Sequence, residues 1–377
     1  MEKIVNFARP FIFQPLSWKS NGLPSFRKKN HFFLSFADAL LCILKEYQIA
    51  GQKEYVLLPT FYCPDTIEFF RKYLKIIFYK INNDFTVDKN HYFKQIKDYK
   101  PRIIVNYNFL GVAFAADEKS QLINLINDST IIIEDCAHRI LLDSEISFIN
   151  KNHFYLDSIR KYSPFLGCHL INNNFSYSSR NVAKVNWYKI KFHSLQLIKG
   201  GLDFFSYLFN LKPLLREKIF FLMDDLIGTH HKSTLGCSLS FYLYNFLNLK
   251  KIKKHHQQLA LCYNDNFNQL KTPLIKTITH DLIIRGELCY YPLVVFPEIQ
   301  PDLIRYLWQK NIYGERLWDP ADLTDQEIDK DFYESFIILP LNYLVKEKDA
   351  LRVCQEIKNF FDKNDYFEPK TQGRHMA

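Results

Sequence analysis

The first 180 residues alternate short apolar runs with longer segments whose apolar residues recur at helical spacing. The runs include EYVLLPT, KIIFYKI, PRIIVNY and TIIIE, and the segments between them include PDTIEFFRKYL and EKSQLINLIN. Strands that alternate with helices of this length form βαβ units, which require parallel pairing and right-handed crossovers. The pattern therefore predicts an α/β fold with a mostly parallel sheet flanked by helices.

A cluster of polar side chains follows one of these predicted strands. The segment EDCAHRILLD, residues 134–143, comes directly after STIIIE. Charged groups at a buried strand's end are costly unless they are paired or used, and ligands of parallel α/β sheets bind at that edge. We therefore predict a functional site here. Because strand side chains alternate between faces, Glu134 and Asp135 should point to opposite sides, with Glu134 in a structural role.

The pattern changes in the second half of the chain. It is helical from about 185 to 275, and then gives a strand at CYYPLVVF, a helix at IQPDLIRYLWQKN, a strand at SFIILPLN and a closing helix at EKDALRVCQEIKNFF. A length of 377 residues suits two domains. We expect a large α/β domain over 1–250 with a helical segment at about 185–250, a small α+β domain over 251–365, and a disordered tail over 366–377.

Composition narrows the possible partners. The 49 Lys and Arg against 40 Asp and Glu give a net charge of +9, which is mild at this length. This charge favours solubility or anionic small molecules over nucleic acid. The sequence has no CxxC pair among its eight cysteines, no apolar stretch long enough to span a membrane and no secretory signal pattern. We expect free thiols in a reducing, cytoplasmic compartment.

Two further sequence features, the histidine pairs and one apolar stretch, each allow two interpretations. Histidine pairs stand at 230–231 and 255–256, where a solvated helix face is favoured over a metal site because no third ligand is suitably spaced. The apolar stretch 191–222 carries scattered Lys and Arg and could lie on a membrane surface. Burial of this stretch in a dimer or domain interface is the favoured interpretation.

Five segments, in this order, resemble the DegT/DnrJ-type sugar aminotransferases, a family of fold-type I pyridoxal-phosphate (PLP) enzymes. They are VLLPTFYCPDT (56–66), IIIEDCAH (131–138), DSIRKYSPFLG (157–167), NIYGERLWDP (311–320) and ILPLNYLVKEKDALRV (338–353). The resemblance spans roughly residues 30–360. It implies the fold-type I architecture, PLP as the cofactor, no metal, and a homodimer with its active sites at the subunit interface.

The resemblance also implies catalytic and cofactor-binding roles for three matching residues. Lys161 would form a Schiff base with PLP and move the proton during transamination. Asp135 would keep the pyridine nitrogen protonated, so that the ring can accept electrons. His138 would lie beside the cofactor's phenolic oxygen. The structural alternative for His138 is simple packing at the start of a helix.

The phosphate-binding segment departs from the family pattern. SFADAL (35–40) stands where the family has S-G-T-x-A-L, so that Phe36 replaces the glycine and Ala37 the threonine. Ser35 can cap the following helix, and the backbone amides of Ser35, Phe36 and Ala37 would still cup a phosphate. Further hydroxyls would come from Ser158 and, across the dimer interface, from Ser238 or Ser240.

Two other positions differ from the family. Tyr62 is expected to stack on the cofactor ring, although the family's aromatic position falls strictly on Cys63. After the lysine loop, Gly167 is retained, but Cys168 stands where the related branch has other residues.

The resemblance implies an aminotransferase that moves an amino group from an amino acid, with glutamate as the expected donor, to a nucleotide-linked keto-sugar. One alternative is a catalytically degenerate homologue that acts as a binding or interaction protein. Retention of Lys161, Asp135 and His138 argues against that alternative, because a scaffold needs none of them. Another alternative is a PLP enzyme with a non-sugar substrate; dehydration is disfavoured, because family dehydratases carry histidine in place of the lysine.

Overall fold

The computed structural model describes residues 5–6, 27–28, 31–51, 53–107, 109–111, 116–184, 187–209, 218–219, 222, 233–270, 272–318 and 330–363. Seven strands form a central sheet in the spatial order β1-β7-β6-β5-β4-β2-β3. They are β1 (Phe32–Phe33), β2 (Tyr55–Pro59), β3 (Lys75–Tyr79), β4 (Ile103–Tyr107), β5 (Ile131–Cys136), β6 (His153–Asp157) and β7 (Cys168–Ile171). Strands β2 to β6 pair in parallel, and β7 is antiparallel to both β1 and β6. The predicted mostly parallel sheet is confirmed.

Helices cover both faces of this sheet. They are α1 (Phe36–Glu46), α2 (Pro64–Arg71), α3 (Lys89–Tyr99) and α4 (Ala116–Leu125). Ile131 and Ile133 of β5 pack with α1 and α2 in one core, while Ile132 packs with α3 and α4 in a second core. Because both faces are buried, the strands have continuous apolar sequences.

In the described part of the chain, two short strands and three longer helices follow the sheet. Strand β8 (Val182–Ala183) pairs in parallel with β9 (Ser233–Thr234). The helices are α5 (Trp187–Phe209), α6 (Ser238–Tyr244) and α7 (Leu249–Gln269). Helices occupy most of the described part of 185–250, but β9 interrupts the predicted helical segment.

The C-terminal part contains an antiparallel three-stranded sheet with the order β10-β11-β12. Its strands are β10 (Ile275–Lys276), β11 (Tyr290–Val295) and β12 (Phe336–Pro340), and its helices are α8 (His280–Arg285), α9 (Gln300–Gln309), α10 (Lys330–Glu334) and α11 (Glu347–Lys363). Helix α7 contacts α11. The division into 1–250 and 251–365 stays a prediction, and residues 364–377, which contain the predicted tail, lie outside the described residues.

The histidine pair at 255–256 does not form a solvated face, so that interpretation is wrong. His256 is buried with Nδ1 2.9 Å from the carbonyl oxygen of Leu288, and His255 Nε2 lies 3.0 Å from that of Val345. Both side chains face the three-stranded sheet and its loops because α7 packs there. The pair at 230–231 lies outside the described residues.

Over the described ranges, no group of three or more His, Cys, Asp or Glu side chains could hold a metal ion. Among the helices that the structure describes, none has the length and apolar character needed to cross a membrane. All eight cysteines are free thiols, and five of them are buried.

Candidate active site

The candidate site lies at the carboxyl edge of the central sheet. The chain passes from β2 to β3 on one side and then returns to β4 on the other side of β2, which makes a topological switch point between β2 and β4. The register places Tyr107 of β4 opposite Asp135 of β5, and Asp135 opposite Leu156 of β6. Residues that are far apart in sequence therefore meet at this edge.

Asp135 is buried near the end of β5 and is held by two hydrogen bonds. Its Oδ2 accepts from the hydroxyl of Tyr62 at 2.5 Å, and its Oδ1 accepts from the amide of Ala137 at 2.8 Å. Burial raises the pKa of Asp135 to about 6, although these hydrogen bonds and the charge of Lys161 act in the opposite direction. A carboxyl group that titrates so close to neutral pH is typical of a functional site.

Glu134 points to the opposite face, as predicted. Its Oε1 accepts hydrogen bonds from Asn106 at 2.9 Å and from His153 at 3.1 Å. His153 is the donor because its Nδ1 already accepts from the amide of Ile149. Glu134 therefore ties β4, β5 and β6 together on the side away from the site.

Tyr62 lies in the loop between β2 and α2 and is fully buried. Its amide donates to the hydroxyl of Tyr333, and that hydroxyl also lies 2.9 Å from the carbonyl oxygen of Tyr62. The ring is tilted against Tyr107 with 5.2 Å between centroids. The structure thus directs the hydroxyl of Tyr62 to Asp135; the stacking role predicted for its ring stays a prediction.

Lys161 ends a short 3-10 turn, Ile159–Lys161, directly after β6. Gly167 closes this loop, because its carbonyl oxygen accepts from the amide of Ile159 at 3.1 Å. Gly167 has φ +145°, and a Cβ there would lie 2.0 Å from the ring of Phe32. Lys161 is half-buried, and its positive charge acts on Asp135, His138 and Cys63, so the four groups lie near one another.

His138 is buried in the turn after β5, and no helix begins there. Its Nδ1 is 2.9 Å from the hydroxyl of Tyr107 and also contacts the hydroxyl of Tyr290. The ring of Trp318 stacks on it at 5.4 Å with an interplanar angle of 25°. Burial, followed by the charges of Lys161 and Arg160, holds the pKa of His138 well below its usual value.

The residues predicted to bind phosphate stand at the start of α1. Ser35 caps the helix as predicted: its hydroxyl accepts from the amide of Asp38 at 3.1 Å and donates to Oδ2 of Asp38 at 2.5 Å. Phe36 and Ala37 begin the helix, where amides have no intrahelical acceptor. The buried carboxylate of Asp38 also accepts from the amide of Thr234.

The remaining predicted positions are distributed around the site. Ser158 is buried at the end of β6. Ser238 is exposed at the start of α6, and Ser240, two residues later, is half-buried. Cys168 is buried in β7, and burial raises its pKa well above the usual value, so the thiol stays protonated. Cys168 therefore has a packing role in the cofactor-free protein.

Four aromatic residues of the site were not predicted: Tyr107, Tyr290, Trp318 and Tyr333. Tyr107 ends the apolar strand PRIIVNY. A polar group at the carboxyl end of a buried strand is the same signal that identified Asp135. Trp318 lies in GERLWDP, a segment that carried the family resemblance without an assigned role. Tyr290 and Tyr333 have no comparable local signal, because the C-terminal sheet and α10 bring them to the site.

Comparison with known proteins identifies the fold. No protein-family model matches the chain, and no curated protein does. Solved structures do match. Spr1654 from Streptococcus pneumoniae in its PLP form has a TM-score of 0.63 and 14% identity, covering 96% of this chain and 99% of that one.

Two further structures extend the comparison. DesI in the presence of its TDP-sugar product has a TM-score of 0.61 and 12% identity, covering 97% of this chain and 95% of that one. A DegT DnrJ EryC1 StrS aminotransferase from Brucella abortus has a TM-score of 0.56 and 14% identity, covering 87% and 85%. The chain is similar to these proteins in fold, and the fold-type I architecture implied by the sequence resemblance is confirmed.

Proposed function

We propose that this protein is a divergent PLP-dependent aminotransferase of the DegT/DnrJ type. It transfers an amino group from an amino acid, with glutamate as the expected donor, to a nucleotide-linked keto-sugar. The convergence of Lys161, Asp135 and His138 at the carboxyl edge of the central sheet carries the proposal. Among the matched structures, DesI contains a TDP-sugar product, which supports a sugar nucleotide as the acceptor class.

The residues at the site fit PLP. A carboxylate has about four lone-pair positions, and Tyr62 and Ala137 use two of those on Asp135, so a pyridine nitrogen can still donate to it. Nε2 of His138 and the hydroxyl of Ser158 make no hydrogen bond to any residue that the structure describes. Donors therefore remain available for oxygen atoms of the cofactor.

Each residue has a distinct task in the proposed reaction. When bound, PLP supplies an electron sink. The amine of Lys161 would hold the cofactor and, when free, would move the proton from the donor's Cα. Asp135 would keep the ring nitrogen protonated, and His138 would donate to the phenolic oxygen. The rings of Trp318 and its aromatic neighbours exclude water from these groups.

The start of α1 provides the position for the phosphate. Amides of Ser35, Phe36 and Ala37 lie at the positive end of the helix dipole, as a phosphate requires. The carboxylate of Asp38, buried in the same turn, opposes that potential. We therefore expect PLP to bind, but more weakly than in relatives that have the S-G-T pattern.

The proposal includes a homodimer. One apolar face of helix α5 packs inward around Phe192, and a second apolar face is exposed to solvent. The outward residues are at least 48% exposed: Trp187, Ile190, Leu197, Ile198, Phe205 and Phe209. A continuous exposed apolar surface of this kind normally marks an interface. A second copy would cover it, and Ser238 or Ser240 of the partner subunit would then lie near the phosphate.

One observation favours the second candidate function, a binding or interaction protein without catalysis. Phe36, Ala37 and Asp38 together replace a phosphate-binding turn by a self-satisfied, capped helix start. If PLP does not bind, this substitution explains why. The arrangement of Lys161, Asp135 and His138 would then be unused.

The visible absorption spectrum of the purified protein tests the proposal. Addition of PLP should produce a visible band, glutamate should abolish it, and a nucleotide-linked keto-sugar should restore it. Lys161→Ala should produce no such band, whereas the exposed control Lys191→Ala should behave as the wild type. Absence of any band at saturating PLP would reject the aminotransferase and favour the second candidate. A band that glutamate does not change would point to a different PLP reaction or donor.

A further inference from the structure

We propose that Tyr107 and Tyr290 fix His138 in the neutral tautomer that carries its hydrogen on Nε2, and so make it a dedicated hydrogen-bond donor to an anionic oxygen. Tyr107 ends β4 of the central sheet, and Tyr290 begins β11 of the C-terminal sheet. The identity of the acceptor, the phenolic oxygen of PLP, rests on the proposed function. The tautomer itself does not.

His138 is neutral at physiological pH. The residue is only 5% exposed, and burial lowers its pKa well below the usual value, with the positive charges of Lys161 and Arg160 acting in the same direction. A neutral imidazole has one nitrogen that donates and one that accepts. The tautomer therefore depends on whether the partners of Nδ1 require it to accept or to donate a hydrogen bond.

Tyr107 needs Nδ1 as an acceptor. Its hydroxyl is 2.9 Å from Nδ1 and makes no other hydrogen bond to the residues that the structure describes. Burial raises the pKa of Tyr107 well above its usual value, so the phenol keeps its hydrogen. If Nδ1 also carried a hydrogen, the buried hydrogen of Tyr107 would have no acceptor, at a cost of about 1–3 kcal/mol.

Tyr290 adds a second phenol on the same nitrogen. Its hydroxyl contacts Nδ1 from the C-terminal sheet. With the lone pair on Nδ1, at least one phenol can donate to it, whereas a hydrogen on Nδ1 would require both oxygens to accept. Both contacts therefore favour placing the ring hydrogen on Nε2.

Ring packing fixes the direction in which Nε2 points. Trp318 stacks on the imidazole at 5.4 Å, while Tyr107 and Tyr290 meet it edge-on at interplanar angles of 75° and 73°. Nε2 has no hydrogen-bond partner within the described part of the chain. A fixed N–H beside the positive Lys161 suits an anionic oxygen.

The tautomer can be measured without cofactor. Long-range ¹H–¹⁵N NMR of ¹⁵N-histidine-labelled, cofactor-free protein distinguishes the two tautomers, and the signal lost in His138→Gln identifies the residue. We expect only the Nε2–H form at neutral pH, and a mixture in Tyr107→Phe/Tyr290→Phe. Tyr47→Phe, whose hydroxyl instead donates to Asn152, is the matched control and should change nothing. An Nδ1–H signal in the wild type, or an unmixed signal in the double variant, would overturn the proposal.

A double-mutant cycle then tests whether the tyrosines act through His138. Tyr107→Phe should weaken PLP binding by about 3- to 10-fold, the effect of one hydrogen bond. The same substitution in a His138→Gln background should have no effect, because an amide donates without a tautomer choice. Equal losses in both backgrounds would show that Tyr107 acts by packing, which overturns the positioning role. If PLP does not bind at all, the proposed function fails, and the NMR result alone decides the tautomer.

Discussion

The hydroxyl of Tyr62 lies 2.5 Å from Oδ2 of Asp135, so that the loop after β2 is hydrogen-bonded to the carboxylate at the end of β5. Tyr333 of α10 in turn holds the backbone of Tyr62 through its own hydroxyl. A chain of contacts therefore runs from the C-terminal part of the molecule to the carboxylate. Through these contacts, the C-terminal part helps to set the orientation and the charge of Asp135.

The raised pKa of Asp135 makes stability depend on pH. Since its folded-state pKa of about 6 exceeds the ordinary value of 3.8, the folded protein binds this proton more tightly, and stability falls as pH rises from about 4 to about 6. Cofactor-free Asp135→Asn should therefore be more stable than the wild type at pH 8, by up to about 3 kcal/mol. Thermal unfolding at both ends of this pH range measures the difference, which should vanish near pH 4. A variant less stable than the wild type at pH 8 would contradict the pKa direction.

Asp135→Asn should also slow the proton transfer in the loaded enzyme, by about 10²- to 10⁴-fold. The amide is nearly isosteric but cannot keep the pyridine nitrogen protonated. Single-turnover reaction with glutamate, followed in the visible spectrum, gives the rate. Tyr62→Phe should raise the pKa of Asp135, because it removes a hydrogen bond to the carboxylate, and so shift the acid limb of the pH–rate profile upward. Near-normal rates in Asp135→Asn would remove the residue from the mechanism.

Lys161 should carry PLP covalently. Borohydride reduction of the loaded protein, followed by peptide mapping, should place the reduced adduct on the peptide that contains SIRK. Lys161→Ala should bind some PLP without a covalent link and should not convert it with glutamate. An adduct on any other lysine would show that the assignment is wrong.

Gly167 should resist substitution for two reasons that controls can separate. Gly167→Ala combines a strained φ of +145° with a Cβ 2.0 Å from Phe32, so we expect a loss of about 2–5 kcal/mol. Gly51→Ala has a positive φ but open space, and should lose only about 1 kcal/mol. Gly200→Ala, in α5 with open space, should be neutral or stabilising. Chemical denaturation measures all three; equal losses at Gly167 and Gly51 would exclude the clash as a cause.

The outward face of α5 should be a dimer interface. Leu197→Glu, at a position 78% exposed in the monomer, should dissociate the dimer because it places a charge in an apolar contact. Lys254→Glu, at an exposed position of α7, is the charge-change control. Light scattering with and without PLP gives the mass. A wild-type protein that stays monomeric when saturated with PLP would contradict the shared site.

The sequence alone determined the layered fold and the place of the site. Runs such as TIIIE are apolar on both faces because helices cover both sides of β5. The successive isoleucines are therefore all buried, in one core or the other. The same logic placed Asp135 at a strand's carboxyl end and Glu134 on the other face. Ser35 was recognisable as a helix cap, since capping is a contact between neighbours in sequence.

Other features depended on contacts between residues that are distant in sequence, and no local sequence pattern indicates such contacts. Helix α3, with a largely polar sequence, was not predicted, because it buries only Tyr92, Phe93 and Ile96. The pair His255 and His256 was misinterpreted, since its surroundings come from loops far away in the chain.

The aromatic groups of the site were also decided by tertiary structure. Strand register placed Tyr107 opposite Asp135, and packing of the C-terminal sheet brought Tyr290 to His138. Periodicity in a sequence reports which face of an element is buried, because burial selects apolar side chains at each turn or alternate position. It does not report which remote side chain lies against that face. That choice is made by register and by the docking of one sheet on the other, and here it determines the hydrogen bonds that tune Asp135 and His138.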